Sequence, residues 1–298
     1  MKLKSTFSAP LLVILIMMLL IVSRFVDFGS LAYQENICLA VIVMQLVLVV
    51  VPTMFYTKMR GESFTGRLRL APIGIEKLLV TLLAALTLIL GDTLLKLGLY
   101  NIGAIDGAFT TYHYYLGGSQ PGVLYSLITF AALPAVIEEV LFRSLLCAEY
   151  EGSGVAAAVL GSAGLYAMFS MDFGYFPVFL LAGLIFALVM YLTGSLFSAI
   201  LCHFCYNLFQ LGVGETVRTI ITKPQSVGFL VFSVTALFLL CLAALFGECE
   251  RIYYGYSLAG KKPEHVNPAA GVRSFAEAML APPYLVAFIV FLVAAIQF

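Results

Sequence analysis

Apolar residues in this chain neither alternate with a period of two nor mark a single stripe of a helix. They run on almost unbroken. Nine mostly apolar stretches approach the ~20 residues that cross ~30 Å of hydrocarbon as a helix: 9–25, 36–56, 78–100, 123–147, 155–171, 176–192, 196–211, 229–246 and 284–298. No series of ten-residue alternating strands is present to close a transmembrane barrel. The pattern predicts an all-α, polytopic transmembrane helix bundle of about eight to nine spans. We read residues 1–298 as one membrane domain. The polar loop 248–283 is the natural hinge before an appended C-terminal helix at 278–298. The start Met1-Lys2-Leu3-Lys4 resembles that of a signal peptide, but residues 22–26 offer no small-x-small cleavage site, so a retained anchor is expected.

Composition narrows the class. Hydrophobic residues make up 62% and charged residues only 11%, against about 25% charged in soluble domains. That excludes an ordinary soluble enzyme and a disordered tail. Sixteen basic residues balance sixteen acidic ones, so no net charge recruits nucleic acid. The loop charges set orientation. Lys58, Arg60, Arg67, Arg69 and Lys77 cluster in 57–77, and Arg251, Lys261, Lys262 and Arg273 in 248–283, whereas 101–121 holds no Lys or Arg. The positive-inside rule then puts the N-terminus and both basic loops in the cytoplasm, with Arg218 and Lys223 as a mild exception. In a bacterium the membrane would be the plasma membrane. Cys38, Cys147, Cys202, Cys205, Cys241 and Cys249 fall mostly inside predicted spans and read as free buried thiols.

The charges left inside the spans carry the chemistry. An ionisable group near the bilayer centre costs at least ~2.5–3.5 kcal/mol. Asp92 and Lys96 are spaced i, i+4 and can pair. The fourth span reads Pro134-Ala-Val-Ile-Glu138-Glu139-Val-Leu-Phe-Arg143. Glu139 and Arg143 can neutralise each other at i, i+4. Glu138 points about 100° away with no partner in its own span, which suits a general base or a proton carrier. Pro134, one turn earlier, can kink the helix and admit water. The seventh span carries Cys202-His203-Phe-Cys205-Tyr-Asn207. His203 and Asn207 share a face, and such donors can hold a developing oxyanion or simply clamp two helices. A metal at Cys202, His203 and Cys205 is not expected, because residues at i, i+1 and i+3 fan out around a straight helix. His113 and His265 fall in predicted loops. Neither a cofactor nor a metal is implied.

Together these residues resemble the CPBP family of intramembrane proteases, the CAAX protease and bacteriocin-processing family. Glu138, Glu139 and Arg143 match its Glu-Glu-x-x-x-Arg motif, and His203 and Asn207 its His-x-x-x-Asn motif. The Gly-rich run 183–196 looks like the family's approach to the latter. Strong resemblance covers about 133–209, within a family-like core of about 123–212. It implies a helical glutamic endopeptidase in which Glu138 activates water, His203 and Asn207 steady the oxyanion, and Glu139 and Arg143 support the site. The family's second motif, Phe-x-x-x-His, falls on Tyr166 and Ser170, so Ser170 occupies the place of a histidine. The chain is thus a divergent member lacking the second-motif histidine. Three functions follow in order. The first is a CAAX-type peptidase acting on a peptide or membrane-protein substrate in the lipid bilayer. The second is an inactive relative serving as scaffold or immunity-type binder. The third is an ion-coupled transporter using Asp92, Glu138 and Glu139.

Overall fold

The computed structural model describes residues 5–25, 37–61, 68–105, 122–221, 224–258 and 268–297. Every regular element among them is a helix. In hydrocarbon this is the expected solution, since a helix satisfies its own backbone polar groups. In chain order they are α1 (Ser5–Ser23), α2 (Ile37–Gln45), α3 (Val51–Arg60), α4 (Ile75–Asn101), α5 (Val123–Leu127), α6 (Leu133–Glu139), α7 (Cys147–Tyr150), α8 (Val155–Phe169), α9 (Phe176–Thr193), α10 (Leu196–Ile221), α11 (Pro224–Leu258), α12 (Pro268–Met279) and α13 (Pro282–Gln297). Wider π-helical segments at Leu46–Val50, Ile128–Ala132 and Val140–Leu146 join α2 to α3, α5 to α6 and α6 to α7 into continuous rods. Pro134 therefore sits in the first turn of α6, directly after a π segment. Within the continuous rod its missing N–H leaves one bond out of the helical ladder.

Among the described residues, six helices are long and apolar enough to cross a membrane, or seven with the α12–α13 pair counted as one span. The chain is a multi-pass integral membrane protein, and its span count roughly fits the eight to nine expected. Two of the nine, Val155–Phe169 and Leu196–Gly212, are shorter apolar helices. At 1.5 Å per residue the 15-residue α8 rises about 22 Å, short of the ~30 Å hydrocarbon layer. Most of its length is buried inside the bundle. The C-terminal span is bent by 51° at the break before Pro282.

Small residues let the central helices touch. A Cβ on Gly183 of α9 would lie 2.9 Å from the Ala163 Cα of α8. Gly164 leaves room on α8 for the Tyr284 side chain of α13, whose hydroxyl donates to the Gly161 carbonyl at 3.3 Å, and Gly161 leaves room for Met279 of α12. Gly194, at φ 65°, closes α9 in the left-handed conformation that glycine takes without strain. Just beyond it, the Leu196 N–H donates to the Arg69 carbonyl at 2.8 Å, and the Ser195 hydroxyl bonds the Ala71 carbonyl. The start of α10 is thereby pinned, which fixes the height of His203 and Asn207 in the bundle.

Candidate functional site

The two adjacent glutamates end α6 and diverge around it as their spacing requires. Glu139 turns inward and is fully buried. Its Oε2 lies 3.1 Å from the Arg143 Nε, and its Oε1 lies 2.8 Å from the His203 Nδ1. A carboxylate held by a guanidinium accepts hydrogen bonds only, so the Nδ1 proton of His203 faces it. That leaves Nε2 as the working nitrogen of the ring.

Arg143 is also buried. Its Nη2 donates to the Gly183 carbonyl at 3.0 Å. Its Nε and Nη1 make no hydrogen bond. Aromatic faces surround the cation instead: the guanidinium carbon is 4.7 Å from the Tyr166 ring centre, 5.2 Å from Phe186 and 5.7 Å from Phe142. These are cation–π distances, and the attraction is strongest where water is excluded. Phe186 also stacks on His203 at 4.4 Å and 15°, while Tyr166 meets the imidazole edge-on at 6.2 Å. The ring of His203 is therefore held on one face by Phe186, at its edge by Tyr166 and at one nitrogen by Glu139.

Glu138 faces the other way. Its side chain keeps 22% exposure, and its Oε2 is 3.9 Å from the His203 Nε2. The Tyr166 side chain lies beside the same carboxylate. Glu138 opens onto a cavity of about 250 Å³ whose walls include Pro134, Ile137, Leu20, Met44 and Gln45. One turn along α10 from His203, the Asn207 Nδ2 donates to the Ala131 carbonyl at 3.4 Å. One of its two amide hydrogens is thus spoken for.

Ser170 caps the C-terminus of α8. Its hydroxyl donates to the Ala167 carbonyl at 2.7 Å and takes the Asp172 N–H at 3.4 Å. Both bonds stay within its own turn. Asp172 lies on the exposed side of that turn, where its Oδ1 accepts the Tyr175 N–H at 3.1 Å. His113 and His265 lie outside the described residues. Cys202 and Cys205 are free thiols, and among the described residues no three His, Cys, Asp or Glu side chains group as a metal site.

A second polar cluster lies between α4 and α10. Asp92 is fully buried. It accepts the Tyr206 hydroxyl and the Gln210 Nε2, each at 2.8 Å, and pairs with the Lys96 Nζ at 3.0 Å. Lys96 in turn donates to the Gln210 Oε1 at 3.0 Å. With both carboxylate oxygens bonded, the cluster acts as a clamp that sets the face of α10 on which His203 and Asn207 lie.

Sequence reasoning found Glu138, Glu139, Arg143 and His203, which the fold gathers within contact of one another. It missed the tyrosyl hydroxyl of Tyr166, the stacking ring of Phe186 and the amide of Gln45. Gln45 did leave a signal: it is the only amide between Cys38 and Thr53 in an otherwise apolar run.

Residues 120–209, under a third of the chain, match the family model described as Type II CAAX prenyl endopeptidase Rce1-like. That match agrees with the resemblance of this segment to the CPBP family and supports a CAAX-type intramembrane protease fold for it. No curated protein and no solved structure matches the chain.

Proposed function

We propose that this CPBP-family chain is an intramembrane peptide hydrolase in which Glu138 activates water against a peptide carbonyl. One observation carries the reading. Of two adjacent carboxylates, Glu139 is committed to Arg143 and His203, while Glu138 is left open to a cavity. As water attacks the carbonyl carbon, Glu138 takes one of its protons. The oxyanion that forms is met by the amide of Asn207, on the face of α10 that also carries His203 beside Glu138. When the tetrahedral centre collapses, the C–N bond breaks and the proton on Glu138 passes to the leaving nitrogen. The products are a carboxylic acid and an amine, with no covalent intermediate. Arg143 holds Glu139, and Glu139 holds the imidazole. The substrate is a peptide or a membrane-protein segment that reaches the cavity within the bilayer.

Purified protein in detergent should cleave members of a peptide library. Glu138→Gln should lower turnover by about 10²–10⁴-fold, the usual worth of a general base. Equal background from both proteins would refute the reading.

A second reading, a non-catalytic binder of peptides or partner spans, is favoured by Ser170, whose hydroxyl is used within its own turn. It predicts that a well-folded Glu138→Gln protein keeps its cellular function. Loss of function in that variant speaks for hydrolysis.

A further inference from the structure

We propose that Gln45 is a substrate-binding residue of the Glu138 cavity, pairing through its side-chain amide with the backbone of an unwound substrate segment. The inference rests on the peptide-hydrolase reading and adds to it a residue outside the segment 120–209 that matches the family.

Gln45 and Glu138 line the same cavity from different rods, one ending α2 and the other in α6. The Gln45 Oε1 is buried and accepts no hydrogen bond. Inside a bilayer such an atom has little water to turn to, and an unpaired polar group there is costly. A ligand with an N–H to give removes that cost.

The ligand's chemistry follows from the reaction. A peptide bond in a helix has its N–H and C=O committed to the helical ladder and its carbonyl carbon crowded. Hydrolysis requires the segment to open. Once open, its backbone groups need new partners in a site that is otherwise apolar. A glutamine side chain is itself a primary amide and offers one carbonyl acceptor and two N–H donors. It can accept from a substrate N–H and donate to a substrate C=O, and a half-turn of the amide plane exchanges the two roles.

Size points the same way. About 250 Å³ falls below the ~300–1,000 Å³ of sites that enclose a whole small molecule. The cavity suits a short stretch of chain with one apolar side chain set against Leu20, Met44 and Ile137.

Local backbone form adds a separate observation. Gln45 directly precedes the π segment Leu46–Val50, and Glu138 lies between the π segments Ile128–Ala132 and Val140–Leu146. Segments of this kind occur often at functional sites, because they re-aim the side chains beside them.

The test uses the full-length protein in detergent and a synthetic library of apolar peptides. Gln45→Leu removes the amide at similar bulk, and Gln45→Met serves if the first variant does not match wild-type thermal unfolding. The expected result is KM raised about ten-fold with kcat changed far less. In the Glu138→Gln background, which retains peptides without cutting them, Gln45→Leu should lower the amount of library retained by a similar factor. Unchanged KM together with unchanged retention overturns the inference. If wild type cleaves nothing, yet Glu138→Gln retains peptides only when Gln45 is present, the hydrolase reading fails and the binding role of Gln45 stands. Retention that does not depend on Gln45 rejects that role whether or not the protein cleaves.

Discussion

At the scale of single residues, one charge pair of the site is shut away from solvent while its neighbour Glu138 stays open to a cavity. Glu139 and Arg143 are both buried, so each is tolerable only with the other. Removing one partner of such a pair costs about 3–5 kcal/mol, because the remaining charge is stranded. Arg143→Met is therefore expected to lower the thermal unfolding temperature in detergent markedly. Arg143→Lys should rescue it only in part: a lysine is a compact point charge that cannot lie flat between the rings of Tyr166 and Phe186 while bonding the Gly183 carbonyl. Tyr166→Phe separates structure from chemistry. It keeps the ring beside Arg143 and deletes the hydroxyl near Glu138, so unfolding should be nearly unchanged while turnover on the peptide library falls by roughly ten-fold, the worth of one polar neighbour of a charged group. The four ionisable members of the site were legible in the sequence because charge inside an apolar run is rare and demands a partner. Tyr166 was legible only as a motif position and Gln45 only as a lone amide in an apolar run, since uncharged polar residues are common in membrane helices and only the fold shows which of them lie near Glu138.

At the scale of helices, the sequence marks where apolar runs begin and end but not which side of a run faces protein. In α8 and α9 nearly every position is apolar, so periodicity carries no facial information. The small residues decide instead. Gly183 meets the backbone of α8 at Ala163, and Gly164 meets Tyr284. At Gly183 the obstacle is partly a main-chain atom, which cannot swing aside. Gly183→Ala should cost about 1–3 kcal/mol by overpacking and, because the Gly183 carbonyl holds Arg143, should lower activity as well. Thermal unfolding and library turnover measured on the same preparation check both. The short α8 and the bend before Pro282 also escaped prediction. Apolar content alone does not distinguish a helix that crosses the membrane from one enclosed by its neighbours.

At the scale of the molecule, scarcity of charge first identifies a membrane protein and then, sorted by position, identifies its site. Large apolar side chains such as Phe232, Leu240 and Phe246 of α11 are exposed on the bundle, as a surface in contact with lipid requires. The loop charges predict a cytoplasmic N-terminus. In sealed right-side-out vesicles an N-terminal tag should resist external protease until the membrane is opened, and cleavage in the intact vesicles would contradict that orientation. The central claim is that Glu138 delivers water to a peptide bond. It is tested most directly by incubating wild type and Glu138→Gln with the peptide library in water enriched in heavy oxygen and weighing the products. The account predicts new peptide termini with wild type only, each carrying one heavy oxygen in the freshly formed carboxyl group. Unlabelled termini, or equal yields from the two proteins, would contradict it.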